Sequence, residues 1–131
     1  MLSLPEAHLI AIVDDDESVR RALARLLRGY NFDVLTFSGG QDFLNSLRAR
    51  RPDCVILDFQ MPGLTGGDVQ CLLSLAEIPL PVIIMTAYDH PAMKEQCLRR
   101  GALACIAKSD LQDHLIVTIA AAMAARGSGH D

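Results

Sequence analysis

HLIAIVDDDESVRRALARLLRG (residues 8–29) changes character twice within one short stretch. Leu9–Val13 is an unbroken apolar run, as expected of a strand buried on both faces. Asp14, Asp15, Asp16 and Glu17 follow with no basic residue between them. Then Val19, Ala22, Leu23, Leu26 and Leu27 recur at helical spacing, and Gly29 is the expected stop. Strand, acidic turn and helix is one βα unit, and the rest of the chain repeats it.

Further strand-like runs are DVLTF (33–37), DCVILD (53–58), PVIIMT (81–86) and ALACIAK (102–108). Between them lie helical stripes. Ser38 with Gln41 makes a capping-box pattern before Phe43, Leu44 and Leu47, and Gly66 and Gly67 precede Val69, Leu72, Leu73 and Ala76. Pro91 suits a first helical position, with Gly101 closing that helix. Ser109 with Gln112 offers a second capping box before Leu111, Leu115, Ile119 and Met123. Five strands alternating with five helices predict a parallel sheet covered on both faces. Right-handed crossovers leave few topologies.

The bulk properties agree. A chain of 131 residues has room for one domain, and a half-apolar composition supports a real core. A net charge of −4 gives no attraction to nucleic acid, so no direct nucleic-acid contact is expected. No apolar run reaches about 18 residues and no signal-peptide pattern opens the chain, so a soluble, cytoplasmic protein without membrane contact is expected. Cys54, Cys71, Cys97 and Cys105 lack metal-type spacing and read as reduced thiols. RGSGHD (126–131) is the one linker-like piece, giving a single domain over 1–131 with a core of about 8–125 and a tail.

Sheets of this kind bind ligands at the carboxyl ends of their strands. Asp14 and Asp15 stand at the first such end, Asp58 at the third, Thr86 at the fourth and Lys108 at the fifth. Three carboxylates, a hydroxyl and an ammonium form a hard-oxygen pocket suited to Mg²⁺. A divalent ion turns the repulsion among Asp14, Asp15 and Asp58 into coordination. Any one of these residues has an ordinary reading as a cap, a strand end or a solvated lysine; Asp16 in particular suits an N-cap. Their joint order favours a site. His8, His90, His114 and His130 are too dispersed for a metal and read as surface groups, while Pro62, Gly63 and Gly66 shape the loop after Asp58.

IVDDDE, VILDFQMPGLTG, VIIMTA and ACIAKS, in this order at strand ends, resemble the motifs of the receiver domain of two-component response regulators. The match spans about residues 8–125 and is most similar to FixJ-type receivers. The resemblance implies a flavodoxin-like sheet of strand order 2-1-3-4-5. It implies Asp58 as the phosphoacceptor, taking the phosphoryl group from a histidine kinase or phosphotransfer protein. Asp15, Asp58 and the backbone carbonyl of Gln60 would ligate Mg²⁺, with Asp14 acting largely through water. Thr86 would bond a phosphoryl oxygen, and Lys108 would pair first with the carboxylate and then with the phosphoryl group. It implies a signalling domain and not an enzyme, catalysing only its own phosphorylation and dephosphorylation. Output would pass to an unspecified protein target, with the 90–125 face as the expected place for contact, a homodimer included. A phosphate sink or a kinase-inhibiting connector is the second reading, and the chain suits a stand-alone receiver or one cut from a longer regulator.

Three positions depart from the family pattern. Ser109 follows Lys108 where proline, usually with a cis bond, is common; a cis bond before serine costs about 2.5–4 kcal/mol, so a trans peptide is expected. Cys105 stands where receivers carry a switching Tyr or Phe, and Gly67 replaces a larger apolar residue. Two other classes compete. Haloacid-dehalogenase-type phosphatases share the residue set, and DDDES resembles their signature through Asp14, Asp16 and Ser18, with Asp14 as the nucleophile. Against this, the chain is short, without an evident cap segment. An FMN binder would need a phosphate-cradling Ser/Thr/Gly loop where this chain is acidic.

Overall fold

A computed structural model describes residues 7–88 and 90–128. The elements follow in strict alternation: β1 (Leu9–Val13), α1 (Glu17–Gly29), β2 (Asp33–Phe37), α2 (Gly40–Ser46), β3 (Cys54–Asp58), α3 (Gly66–Leu75), β4 (Val82–Thr86), α4 (Pro91–Arg99), β5 (Ala104–Ala107) and α5 (Leu111–Ser128). A single 3-10 turn, Lys108–Asp110, joins the last two. The strands are all parallel in the order β2-β1-β3-β4-β5, the doubly wound flavodoxin-like arrangement expected. No helix among the described residues is long and apolar enough to cross a membrane.

Period-two alternation divides the core in two. Ile10 and Ile12 of β1, Ile56 of β3 and Ile83 of β4 face α1 and α5, meeting Leu23, Leu27, Leu115 and Ile119. Ala11, Val13, Val55, Leu57 and Ile84 face the other way, onto Phe43, Val69, Leu73 and Cys97. β1, β3 and β4 are buried along their whole length, which is why they read as continuous apolar runs. β2 lies at the sheet edge and is partly exposed.

Several helix boundaries differ from the sequence reading. Gly29 is the last residue of α1; the left-handed turn falls on Asn31 (φ 67°), whose amide bonds Arg28 O while Phe32 N bonds Leu27 O. Ala22 faces solvent and Ala24 takes its place in the core. Ser38 does not cap α2: Gly39 is the N-cap, without a side-chain bond, and Gln41 spans to Asn45 instead (Nε2–Oδ1 3.0 Å). Ser109 is not an N-cap, because the chain enters a helical turn directly at Lys108 and Leu111 N closes onto Lys108 O. The 108–109 peptide is trans as expected; no cis bond occurs among the described residues. α5 continues through residues 126–128, where Gly and Ser suggested a tail.

α3 carries a capping box built on Thr65 and Asp68. Thr65 Oγ1 accepts from Asp68 N (3.1 Å) and Asp68 Oδ2 accepts from Thr65 N (2.9 Å). Thr65→Ala is expected to lower stability by about 1 kcal/mol; a denaturation midpoint equal to wild type would contradict it.

Candidate functional site

Strand register brings the acidic groups together. Val13 pairs with Leu57, so Asp14, one residue past the end of β1, stands level with Asp58. Asp58 pairs with Met85 and Thr86 with Ala107, so Thr86 and Lys108 complete the same rim. The turn after β1 is built to hold Asp14. Its amide donates to Phe37 O, its Oδ1 accepts from Asp16 N (2.9 Å), and Arg20 Nη1 donates to its carbonyl (2.7 Å). Asp16 caps α1, accepting from Ser18 N, Ser18 Oγ and Val19 N, and its bond to the Ser18 hydroxyl leads in holding its carboxyl below the usual range. Asp16 therefore points along the helix and not into the site. Behind Asp58, α3 begins so close to the strand that a Cβ on Gly66 would lie 2.8 Å from Asp58 O, a contact only glycine allows.

Carboxylate oxygens of Asp14, Asp15 and Asp58 all lie within 4.8 Å of one another. Asp14 and Asp58 are buried; Asp15 is exposed. Lys108 reaches both buried groups, with Nζ 3.0 Å from Asp14 Oδ2 and 3.4 Å from Asp58 Oδ2. Asp14 Oδ2 nonetheless lacks an aligned hydrogen-bond donor, so the pairing is electrostatic. Burial, followed by the charge of Asp14, pushes the Asp58 carboxyl up to about 6, although Lys108 and the Gln60 backbone amide pull the other way. Burial also depresses the Lys108 ammonium, but its pairing with Asp14 and Asp58 outweighs this and leaves it above its ordinary value.

The donor set fits a hard divalent cation. One ammonium against three carboxylates leaves two negative charges uncompensated, and one buried oxygen has no aligned donor. Of the other residues singled out, Gln60 is exposed and offers its backbone amide to Asp58. Thr86 is buried, its hydroxyl donating to Tyr88 O (2.7 Å). Beside it lies a cavity of about 430 Å³ lined by Phe59, Gln60, Thr86, Tyr88, His90 and Met93.

Sequence reasoning missed four contributors. Arg20 buttresses Asp14, a contact between turn and helix that no motif marks. His90, read as a surface group, is exposed but also caps α4 by accepting from Met93 N. His8 and His114 are exposed as expected, and His130 lies outside the described residues. The third contributor is the Tyr88 carbonyl; from the sequence Tyr88 reads either as a flank of the pocket, whose cavity it lines, or as a plain loop aromatic, with no role for its backbone. The fourth is Arg100, whose Nη1 would lie 2.7 Å from a Cβ on Gly67; the guanidinium occupies the space that the larger residue would fill.

A family model described as response regulator receiver domain matches residues 10–120. Transcriptional regulatory protein TdiR of Thauera aromatica is 34% identical over 118 residues, covering 90% of this chain and 52% of TdiR. Transcriptional regulatory protein FixJ of Bradyrhizobium diazoefficiens is 31% identical over 114 residues, 87% of this chain and 56% of FixJ. The crystal structure of a response regulator receiver protein from Burkholderia phymatum superimposes with a TM-score of 0.79 at 42% identity, covering 89% of this chain and 95% of that one. The chain spans about half the length of the curated relatives it matches. The phosphatase-family reading is overturned by this match. The chain belongs to the receiver domains of two-component response regulators.

Proposed function

We propose that Asp58 accepts a phosphoryl group from the phosphohistidine of a histidine kinase or phosphotransfer protein. The observation that carries this reading is the convergence of Asp14, Asp15 and Asp58 within 4.8 Å, with Lys108 bridging the two buried carboxylates. An Asp58 oxygen forms the bond to phosphorus as the donor's phosphorus–nitrogen bond breaks and the imidazole leaves. With its carboxyl near 6, Asp58 is ionised at neutral pH and ready as a nucleophile. Asp15, Asp58 and the Gln60 carbonyl would hold Mg²⁺, with Asp14 behind them; when bound, the ion supplies charge neutralisation for the phosphoryl oxygens. Lys108 moves its charge from the carboxylate to the phosphoryl group. The Thr86 hydroxyl exchanges its bond to Tyr88 O for one to a phosphoryl oxygen.

In this reading the chain is a signalling domain that promotes only its own phosphorylation and dephosphorylation. It acts in the cytoplasm, and its phosphorylated state is read by protein contact through the 90–125 face, homodimerisation included. Residues 8–125 form the working core of one unit. The test is the position of the label. After treatment with acetyl phosphate and magnesium, borohydride reduction converts an acyl phosphate to homoserine. Peptide mapping is expected to find homoserine at position 58. Homoserine at position 14 or 15, or none, would refute the assignment.

A further inference from the structure

α1 carries four arginines against a single carboxylate, in a chain whose net charge is −4. Arg20, Arg21, Arg25 and Arg28, with Thr36 of the edge strand β2, line a cleft of about 530 Å³. Ala24 lines it too, one turn from both Arg20 and Arg28, and its small side chain leaves the hollow between them. Arg20 is half-buried and donates one N–H to Asp14 O (2.7 Å), while Arg21 pairs with Glu17 (3.0 Å). Among the described residues, the guanidiniums of Arg25 and Arg28 have no hydrogen-bond or ion-pair partner. Arg21, Arg25 and Arg28 follow at spacings of four and three, where like charges lie side by side and weaken a helix. A local conflict kept in this way is the mark of a site that serves something other than stability. At the acidic rim a cation would relieve such repulsion; here the relieving ligand is an anion.

We propose that the arginine cleft between α1 and β2 binds a small molecule carrying linked phosphates, either an inorganic polyphosphate or a nucleoside polyphosphate. Every cation lining it is arginine, whose planar fork meets a phosphate with two parallel hydrogen bonds. At about 1.5 Å of rise per residue, Arg21, Arg25 and Arg28 spread over roughly 10 Å of helix, more than one phosphate reaches. A chain of phosphates meets them in succession. The Thr36 hydroxyl of β2 adds a neutral donor. The cleft has the volume of a small-ligand site, and a flat acidic protein surface would leave the hollow at Ala24 unfilled. Net charge concealed this site from the sequence reading, because the acidic residues that outnumber the arginines lie elsewhere on the fold. Binding here needs no modification of Asp58, so the site stands apart from the roles proposed above.

The test titrates inorganic triphosphate into the whole chain by calorimetry, at low salt, with a chelator and without magnesium. Under these conditions the acidic rim repels anions, so binding reports the arginine cleft. One molecule is expected to bind per chain. Arg25→Gln and Arg28→Gln should each weaken it roughly tenfold, the loss of one charge-assisted pair. Neither should lower the melting temperature, since each removes a repelling charge from α1. Raising the salt should weaken binding severalfold. In the unaltered chain, bound triphosphate should slow amide exchange across residues 17–28, a second reading that needs no variant. Orthophosphate should bind at least roughly tenfold more weakly, because it meets fewer of the forks. Adenosine triphosphate then separates the two sources: tighter binding than triphosphate assigns a nucleotide, and equal or weaker binding assigns the inorganic chain. No binding of triphosphate would overturn the proposal. So would wild-type affinity in both variants, slowed exchange confined to other elements, or hexaglutamate binding as tightly as triphosphate, which would make the cleft a docking place for an acidic protein.

Discussion

Asp58→Asn is expected to abolish phosphate uptake and, in the absence of magnesium, to stabilise the fold by about 1–2 kcal/mol at neutral pH. Burial and the neighbouring Asp14 charge raise the Asp58 carboxyl from 3.8 to about 6. At about 1.4 kcal/mol per unit, the cost of ionising it in the folded state has a ceiling of about 3 kcal/mol. Asparagine gives up the attraction of Lys108, which returns part of that gain. The remainder corresponds to a melting point about 3–8 °C above wild type. A fold that carries such a cost does not keep the carboxylate for its stability.

The pH dependence has a definite sign. Below 3.8 the carboxyl is protonated both folded and unfolded, so it adds no penalty. Between 3.8 and about 6 the folded chain holds a proton that the unfolded chain has lost, so wild-type stability falls relative to Asp58→Asn as pH rises. Above about 6 the gap is constant. Magnesium binding to the folded state is expected to close the gap, since it raises wild type more than a variant that has lost a ligand. Urea titrations over this pH range, with and without magnesium, check both statements. A metal-free variant that is less stable than wild type at neutral pH, with a gap independent of pH, would contradict the origin assigned to the shift.

Layer order and rim residues were legible in the sequence because long-range requirements wrote them there. Three strands buried on both faces must read as continuous apolar runs, and a parallel sheet must present its strand ends together. Asp14, Asp58, Thr86 and Lys108 were therefore found from their positions alone. Caps were less legible because they depend on one or two local dihedrals. Ser38 and Ser109 each match a capping pattern, yet the chain turns one residue later in one case and enters a 3-10 turn in the other. Asn31 supplies the left-handed turn that Gly29 could equally have taken. Contacts between elements left no local mark at all. That Arg100 fills the space beside Gly67 follows only once α3 and the end of α4 are packed side by side.

Lys108 is the residue whose loss should cost most. Among the described residues its ammonium is the cation within ion-pair reach of both Asp14, which is wholly buried, and Asp58, which is nearly so. Lys108→Met keeps the aliphatic stem but leaves two buried carboxylates facing each other, and breaking a buried pair in this way is strongly destabilising. Because the lysine head is partly exposed, water screens the loss, and about 2–4 kcal/mol is expected at neutral pH. Three consequences identify the cause. Acidification should relieve the defect, since protonating Asp58 removes one of the opposed charges. The same substitution in the Asp58→Asn background should cost less by about 1–2 kcal/mol, because the two residues are in contact and their effects cannot add. Magnesium should restore stability by supplying positive charge, whereas the resting attraction between ammonium and Asp58 stays lost. Equal costs in the two backgrounds, measured by urea denaturation without metal, would mean that Lys108 acts through packing of its stem and not through its charge.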